Sequence, residues 1–170
     1  MLIARRFAGR SDTFELMGSS MTAVHNTKSA TTRRSRACDD FCGGGLCFHA
    51  QPLGGALVVS VIGELDASNV DRLNEYAKAC LTDRNPFILD FSQMNFFGAQ
   101  GVKSLFAIAD QCDHDRRLWS VIPGREVTRL LRICDKDAKL PTAGSIDDAL
   151  EGFSAMKRAR RLLQLVTKSG

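Results

Sequence analysis

The chain predicts an α/β fold, a mixed sheet of about five strands with about four helices in a single domain, and three observations carry that expectation. Short apolar runs bounded by turn residues alternate with longer stretches whose apolar residues recur at helical spacing. Two runs lie close together before the first helical stretch, as in a hairpin, and the later runs are separated by helix-length segments, as crossovers between parallel strands require. The 170 residues with 44% hydrophobic content can bury one substantial core but not two.

Residues 1 to 36 are rich in Ser, Thr and Arg and lack sustained periodicity, so they are expected to be disordered. With the following ACDDFCGGGLC stretch they make a basic arm and Cys-rich linker over residues 1–46, ahead of a domain over 47–153. Phe48 and Ala50 read as inward residues of a first strand, with His49 on the opposite face. After Pro52 and the Gly54-Gly55 turn, Ala56 to Ile62 is a nearly continuous apolar strand, the pattern of a strand covered on both faces. It ends in Gly63-Glu64-Leu65-Asp66. Ser68 is then the expected helix cap, with Asp71 in the first turn and Val70, Leu73, Tyr76, Ala77 and Cys80 as the buried stripe.

The centre of the chain is Pro86 to Asp110. Phe87 to Phe91 reads as a buried central strand stopped by polar Ser92 to Asn95. Beyond that turn, Phe96 and Phe97 lead into Gly98-Ala99-Gln100-Gly101 as a Phe96–Gly101 loop, and Val102, Leu105, Phe106, Ala109 and Cys112 follow at helical spacing. A strand, a tight glycine turn and a helix in that order aim the unpaired amides of the helix start over the carboxyl end of the strand. The turn has neither the Walker spacing nor the three glycines of a dinucleotide fingerprint, so no cofactor is implied.

Arg117 to Pro123 reads as a further strand, and Gly124 opens a helix with Val127, Leu130, Leu131 and Cys134 inward. Lys139 to Pro141 suggests a short edge strand. Ser145 and Asp148 are spaced as a capping pair before Ile146, Ala149, Leu150 and Phe153. That helix continues as a basic amphipathic extension over 154–170, where Leu162, Leu163, Leu165 and Val166 interleave with Arg158, Arg160 and Arg161. Packing on its own domain is its expected role, with a membrane surface or a partner groove as the alternatives.

The net charge of +4 conceals a division. Residues 1–46 hold seven basic and four acidic groups, 47–152 hold eleven and fifteen, and 153–170 hold five and none. A mildly acidic body lacks the clustered positive surface of a nucleic-acid-binding core, so no direct nucleic-acid contact is expected. No apolar run approaches the roughly 20 residues of a membrane span, and residues 1–14 lack a secretory h-region, so a cytoplasmic protein is expected. There the six cysteines are expected to be reduced. Cys38, Cys42, Cys47 and His49 form a tetrahedral donor set but not at a known zinc spacing, so they read as linker thiols before metal ligands.

Taken together, GELDASN and LDFSQMNFFGAQGV on this strand order resemble the STAS domain of anti-sigma-factor antagonists, over roughly residues 47–153. The likeness lies in the strand order, the Gly63-Glu64-Leu65-Asp66 turn, the Leu89-Asp90-Phe91-Ser92 strand end and Gly101 at the second helix. It implies a binding module with no catalytic activity and no cofactor. Its implied partner is an anti-sigma factor, often a serine kinase with a histidine-kinase-like ATP site, which phosphorylates an Asp-Ser-Ser/Thr-Gly turn in the antagonist. This chain departs from that pattern, because Gly98, Ala99 and Gln100 stand where the Asp, Ser and Ser/Thr belong and only Gly101 matches. A permanently binding antagonist is the expectation that follows.

The expected partner-binding surface is therefore Asp66, Asn95, Phe96, Phe97, Gly98, Ala99, Gln100 and Gly101, with one of the two phenylalanines in the core. Thiol control through Cys80 and Cys112, late on the helices flanking the central strand, is a second possibility that ranks below two inert buried thiols. Other classes are a STAS subunit of a membrane lipid-transport or signalling scaffold complex, and a metal or redox sensor using Cys38, Cys42 and Cys47. An enzyme is not expected: His25, His49 and His114 have no nucleophile placed beside them by the pattern.

Overall fold

In the computed structural model of the chain, residues 40–82 and 84–168 are described, with side chains to residue 165. The arm over residues 1 to 36 and Cys38 lie outside the described residues. The elements run β1 (Phe41–Gly43), β2 (Leu46–Leu53), β3 (Ala56–Leu65), α1 (Val70–Cys80), β4 (Phe87–Asp90), β5 (Met94–Phe97), α2 (Ala99–His114), β6 (Trp119–Ile122), α3 (Arg125–Cys134) and α4 (Ile146–Lys168). Six strands form one mixed sheet of order β1-β2-β3-β4-β6, with β5 paired to β3. β1 with β2 and β2 with β3 pair antiparallel, whereas β3 pairs in parallel with both β4 and β5, and β4 with β6.

The apolar strand pattern is explained by what covers each face. Val59, Val61, Leu65, Phe87, Leu89 and Val121 belong to a large cluster that also holds Leu73, Ala77, Leu105, Cys112 and Val127 of α1, α2 and α3. Their neighbours Ala56, Val58, Ile88 and Ile122 point the other way and pack against Ala149 and Phe153 of α4. Alternate residues thus serve two cores. The carboxyl ends of β3 and β4 and the start of α2 share one pole of the sheet, and the starts of β4 and β6 and the end of α2 share the other.

Several expectations are corrected. Lys139 to Pro141 does not form an edge strand; only an isolated bridge joins Thr142 to Val121, held by the Val121 amide on the Pro141 carbonyl and the Ala143 amide on Val121. Phe96 and Phe97 do not belong to a loop, because β5 continues the sheet beyond the end of β4 alongside Gly63 to Leu65. The Gly63 backbone, at φ 111°, lies against the Gly45 carbonyl, where a side chain would collide. Cys134 is exposed rather than inward. In α4 the Ser145 hydroxyl accepts the Asp148 amide at 3.1 Å, so one half of the capping pair forms. The tail does not fold back into the core, since Met156, Leu162, Leu163 and Leu165 are 45–66% exposed.

The Cys-rich stretch is also part of the sheet. β1 hairpins onto β2 through the glycines, and its register sets Cys42 opposite Cys47, where they form a disulfide. Reduced linker thiols were expected, and this pairing overturns that reading and removes both sulfurs from any metal set. His49 instead lies 3.3 Å from the Asp40 carboxylate on the exposed face of β2.

Candidate functional site

Three segments meet at the pole where β3 and β4 end. The end of β3 supplies Asp66, β5 supplies Asn95 to Phe97, and α2 begins at Ala99. Gly98 fastens them, because its amide donates to the Leu65 carbonyl at 2.8 Å and its carbonyl accepts the Gly101 amide at 3.0 Å. Gly98 is the residue before the helix, in extended backbone conformation, and supplies no side-chain cap. The first turn of α2 carries no acidic residue either. Its free amides and positive dipole end therefore face outward over Ala99 and Gln100, which are exposed.

Of the two phenylalanines, Phe97 is the core residue at 1% exposure, and it meets Phe91 edge-on with ring centroids 5.4 Å apart. Phe96 is 44% exposed, and with Asn95, also exposed where the register of β5 on β3 shifts, it extends the surface beside Gln100. Gly101 is buried under Leu65 and Phe97: a side chain there would meet both at 2.6 Å. Gly98 and Gly101 thus set the backbone, while Asn95, Phe96, Ala99 and Gln100 present the surface.

The Asp66 carboxylate accepts the Ser68 hydroxyl at 2.6 Å and the Ser68 amide at 2.7 Å. These bonds to Ser68, the hydroxyl's foremost, hold Asp66 below the ordinary aspartate value. Ser68 is consequently not the helix cap. Asn69 occupies that position, without a side-chain bond into α1. Its Oδ1 accepts the Asp66 amide and its Nδ2 donates to the Gly44 and Glu64 carbonyls, each at 2.9 Å. Asn69 was missed in the sequence. The signal available was a second cap-forming residue next to Ser68, and nothing local showed that its side chain reaches back to the β1–β2 turn.

A groove of about 490 Å³ runs from this surface between α1 and α2, lined by Asn74, Lys78, Gln100, Lys103 and Ser104 among others. Cys80 and Cys112 contribute to the core and are not bonded to each other. Burial pushes the Cys112 thiol up to about 12, so at neutral pH it is held as an unreactive thiol. Among the described residues no group of three or more His, Cys, Asp or Glu side chains is placed to hold a metal ion. Among them also, no helix is long and apolar enough to cross a membrane.

A two-faced mixed sheet that leaves a helix mouth exposed beside a strand end defines a domain of one class, and the comparisons name it. The chain belongs to the STAS domain family, which matches residues 48–149. It is 30% identical to Osmosensory protein A of Mycobacterium tuberculosis, over 87% of this chain and 98% of that one, so the likeness extends beyond the domain. The crystal structure of an anti-sigma factor antagonist from Mycobacterium paratuberculosis superposes with a TM-score of 0.58 at 26% identity, covering 63% of this chain and 92% of that one. An anti-sigma-factor antagonist (STAS) domain protein from Planctomyces limnophilus, at 14% identity, shares the fold with a TM-score of 0.56, over 63% of this chain and 97% of that one.

Proposed function

We propose that the chain is a cytoplasmic anti-sigma factor antagonist that acts by binding, not catalysis, and docks on its anti-sigma factor through Asp66 and the Asn95–Gln100 surface. The observation that carries the reading is the exposed mouth of α2, with Phe96 as an apolar anchor beside Gln100, on a chain similar to such antagonists. Gln100 presents a neutral amide where the family pattern has a hydroxyl. Gly98, Ala99, Gln100 and Gly101 hold no atom that accepts phosphate, so charge at this turn does not switch docking off and the antagonist binds constitutively. The partner is an anti-sigma factor of the histidine-kinase-like serine kinase type. Likeness to Osmosensory protein A supports a place for the chain in the response to osmotic stress.

Incubation with the host's anti-sigma kinase and labelled ATP, followed by a binding assay, tests the proposal. The reading expects a stable complex with or without ATP. Stoichiometric label on this chain accompanied by dissociation would overturn constitutive binding, and no complex under either condition would overturn the antagonist reading.

A further inference from the structure

The helix α4 changes its apolar face partway along. Ile146, Ala149, Leu150 and Phe153 lie together and pack on Ala56, Val58, Ile88 and Ile122. At about 100° per residue, Met156, Ala159, Leu162 and Leu163 form a second stripe rotated by roughly 120° from the first. This stripe turns away from the sheet, and Met156, Leu162 and Leu163 are 45%, 64% and 66% exposed. The same geometry sets Arg158 along one border of the stripe and Arg160 along the other, with Lys157 and Arg161 on the opposite arc. Lys157 and Arg160 do face the domain, where they line a concavity of about 610 Å³ with Arg84, Arg116 and Arg117.

We propose that the C-terminal half of α4 is a docking face for an anionic phospholipid surface, lying in the headgroup layer with the Met156–Leu163 stripe buried and the arginines on phosphate. Three features select that occupant. No acidic residue follows Glu151, and none of Arg84, Arg116, Lys157, Arg158, Arg160 or Arg161 is in an ion pair among the described residues. Among the described residues Asp115 is the one carboxylate lining the concavity, where it accepts the Gln111 side chain, and Asp113 shares an adjoining hollow with Arg116, Arg117 and Arg160. Among the described residues the basic groups Arg84, Arg116, Arg117, Lys157 and Arg160 thus outnumber the carboxylates Asp113 and Asp115 that share these two hollows, as attraction to an anionic surface requires. A second copy of the helix would set arginine against arginine at the borders of the stripe with no carboxylate to oppose it. The helix is also too polar to span a bilayer, whereas an apolar arc edged with arginine suits one that lies flat on it.

The inference stands apart from the docking loop at the other pole, so its failure leaves the antagonist reading intact. Flotation of the full chain with phosphatidylcholine vesicles, with and without phosphatidylglycerol, tests it. The chain should float with the anionic vesicles and lose at least about tenfold in partitioning without the anionic lipid or in high salt. Leu162→Asp with Leu163→Asp, and separately Arg158→Glu with Arg160→Glu at the borders of the stripe, should each abolish flotation at unchanged Tm. Wild type that stays unbound, or the leucine variant floating as wild type does, overturns the proposal. So does sedimentation without vesicles that finds a dimer which the leucine variant converts to monomer.

Discussion

The Gly98 amide donates to the Leu65 carbonyl at 2.8 Å, tying the mouth of α2 to the end of β3. Through this bond, the surface built by β5 and α2 is held in fixed relation to Asp66.

Gly101→Ala should be destabilising although alanine is the better helix former. The new methyl would meet Leu65 and Phe97 at 2.6 Å, and both are buried at 0% and 1% exposure with little room to retreat. Overpacking should outweigh the helix-propensity gain of about 1 kcal/mol and leave a net loss of about 1–2 kcal/mol in urea unfolding.

Phe96 and Phe97 should separate by function. Phe97→Ala empties a core position and should cost about 3–5 kcal/mol of stability. Phe96→Ala should cost under about 1 kcal/mol yet weaken binding to the anti-sigma factor, read by calorimetry on the folded variant.

Asn69→Ala should loosen the β1–β2 turn and the Asp66 loop together. It removes the acceptor of the Asp66 amide and the donor to the Gly44 and Glu64 carbonyls from a site where Asn69 is 6% exposed. A loss of about 2–3 kcal/mol is expected, with faster hydrogen exchange at Asp66 and across β1.

Asp66 should titrate below its ordinary value of 3.8 by carbon-detected NMR, and Ser68→Ala should move it back toward that value. A depressed carboxylate favours the folded state above its unfolded pKa. Whatever Asp66 contributes is therefore present at neutral pH, begins to fall below about pH 3.8, and is lost as pH passes through the lower folded value.

Of Cys80, Cys112 and Cys134, only exposed Cys134 should react with a thiol reagent in the native state. Cys80 and Cys112 should label only on unfolding, which mass spectrometry of alkylated peptides reads directly.

Strands of four or more apolar residues and helices with a stripe were legible, as Ala56 to Ile62 and Leu73, Ala77 and Cys80 show, because burial on two faces or on one leaves a periodic trace. β5 was not, since Phe96 and Phe97 pair with Gly63 to Leu65 about thirty residues away and only two of its four residues, Met94 and Phe97, are buried. β1 was hidden for the same reason: three residues, FCG, take their strand character from the hairpin register that also joins Cys42 to Cys47. At the site, one phenylalanine was expected in the core, but which one depended on β5, a strand whose buried ends Met94 and Phe97 enclose two exposed residues. The reach of Asn69 to Gly44, across 25 positions, has no local signature at all.

The account turns on docking at a helix mouth that is neutral. Gln100→Glu adds a negative charge in the first turn of α2, where it should raise stability by about 0.3–1 kcal/mol through the helix dipole. Calorimetric titration of that variant against the host's anti-sigma factor, beside wild type, is the most direct test. The account predicts a tight complex for wild type and affinity at least about tenfold lower for the variant, a difference of about 1.4 kcal/mol. Equal affinity for the two would contradict it.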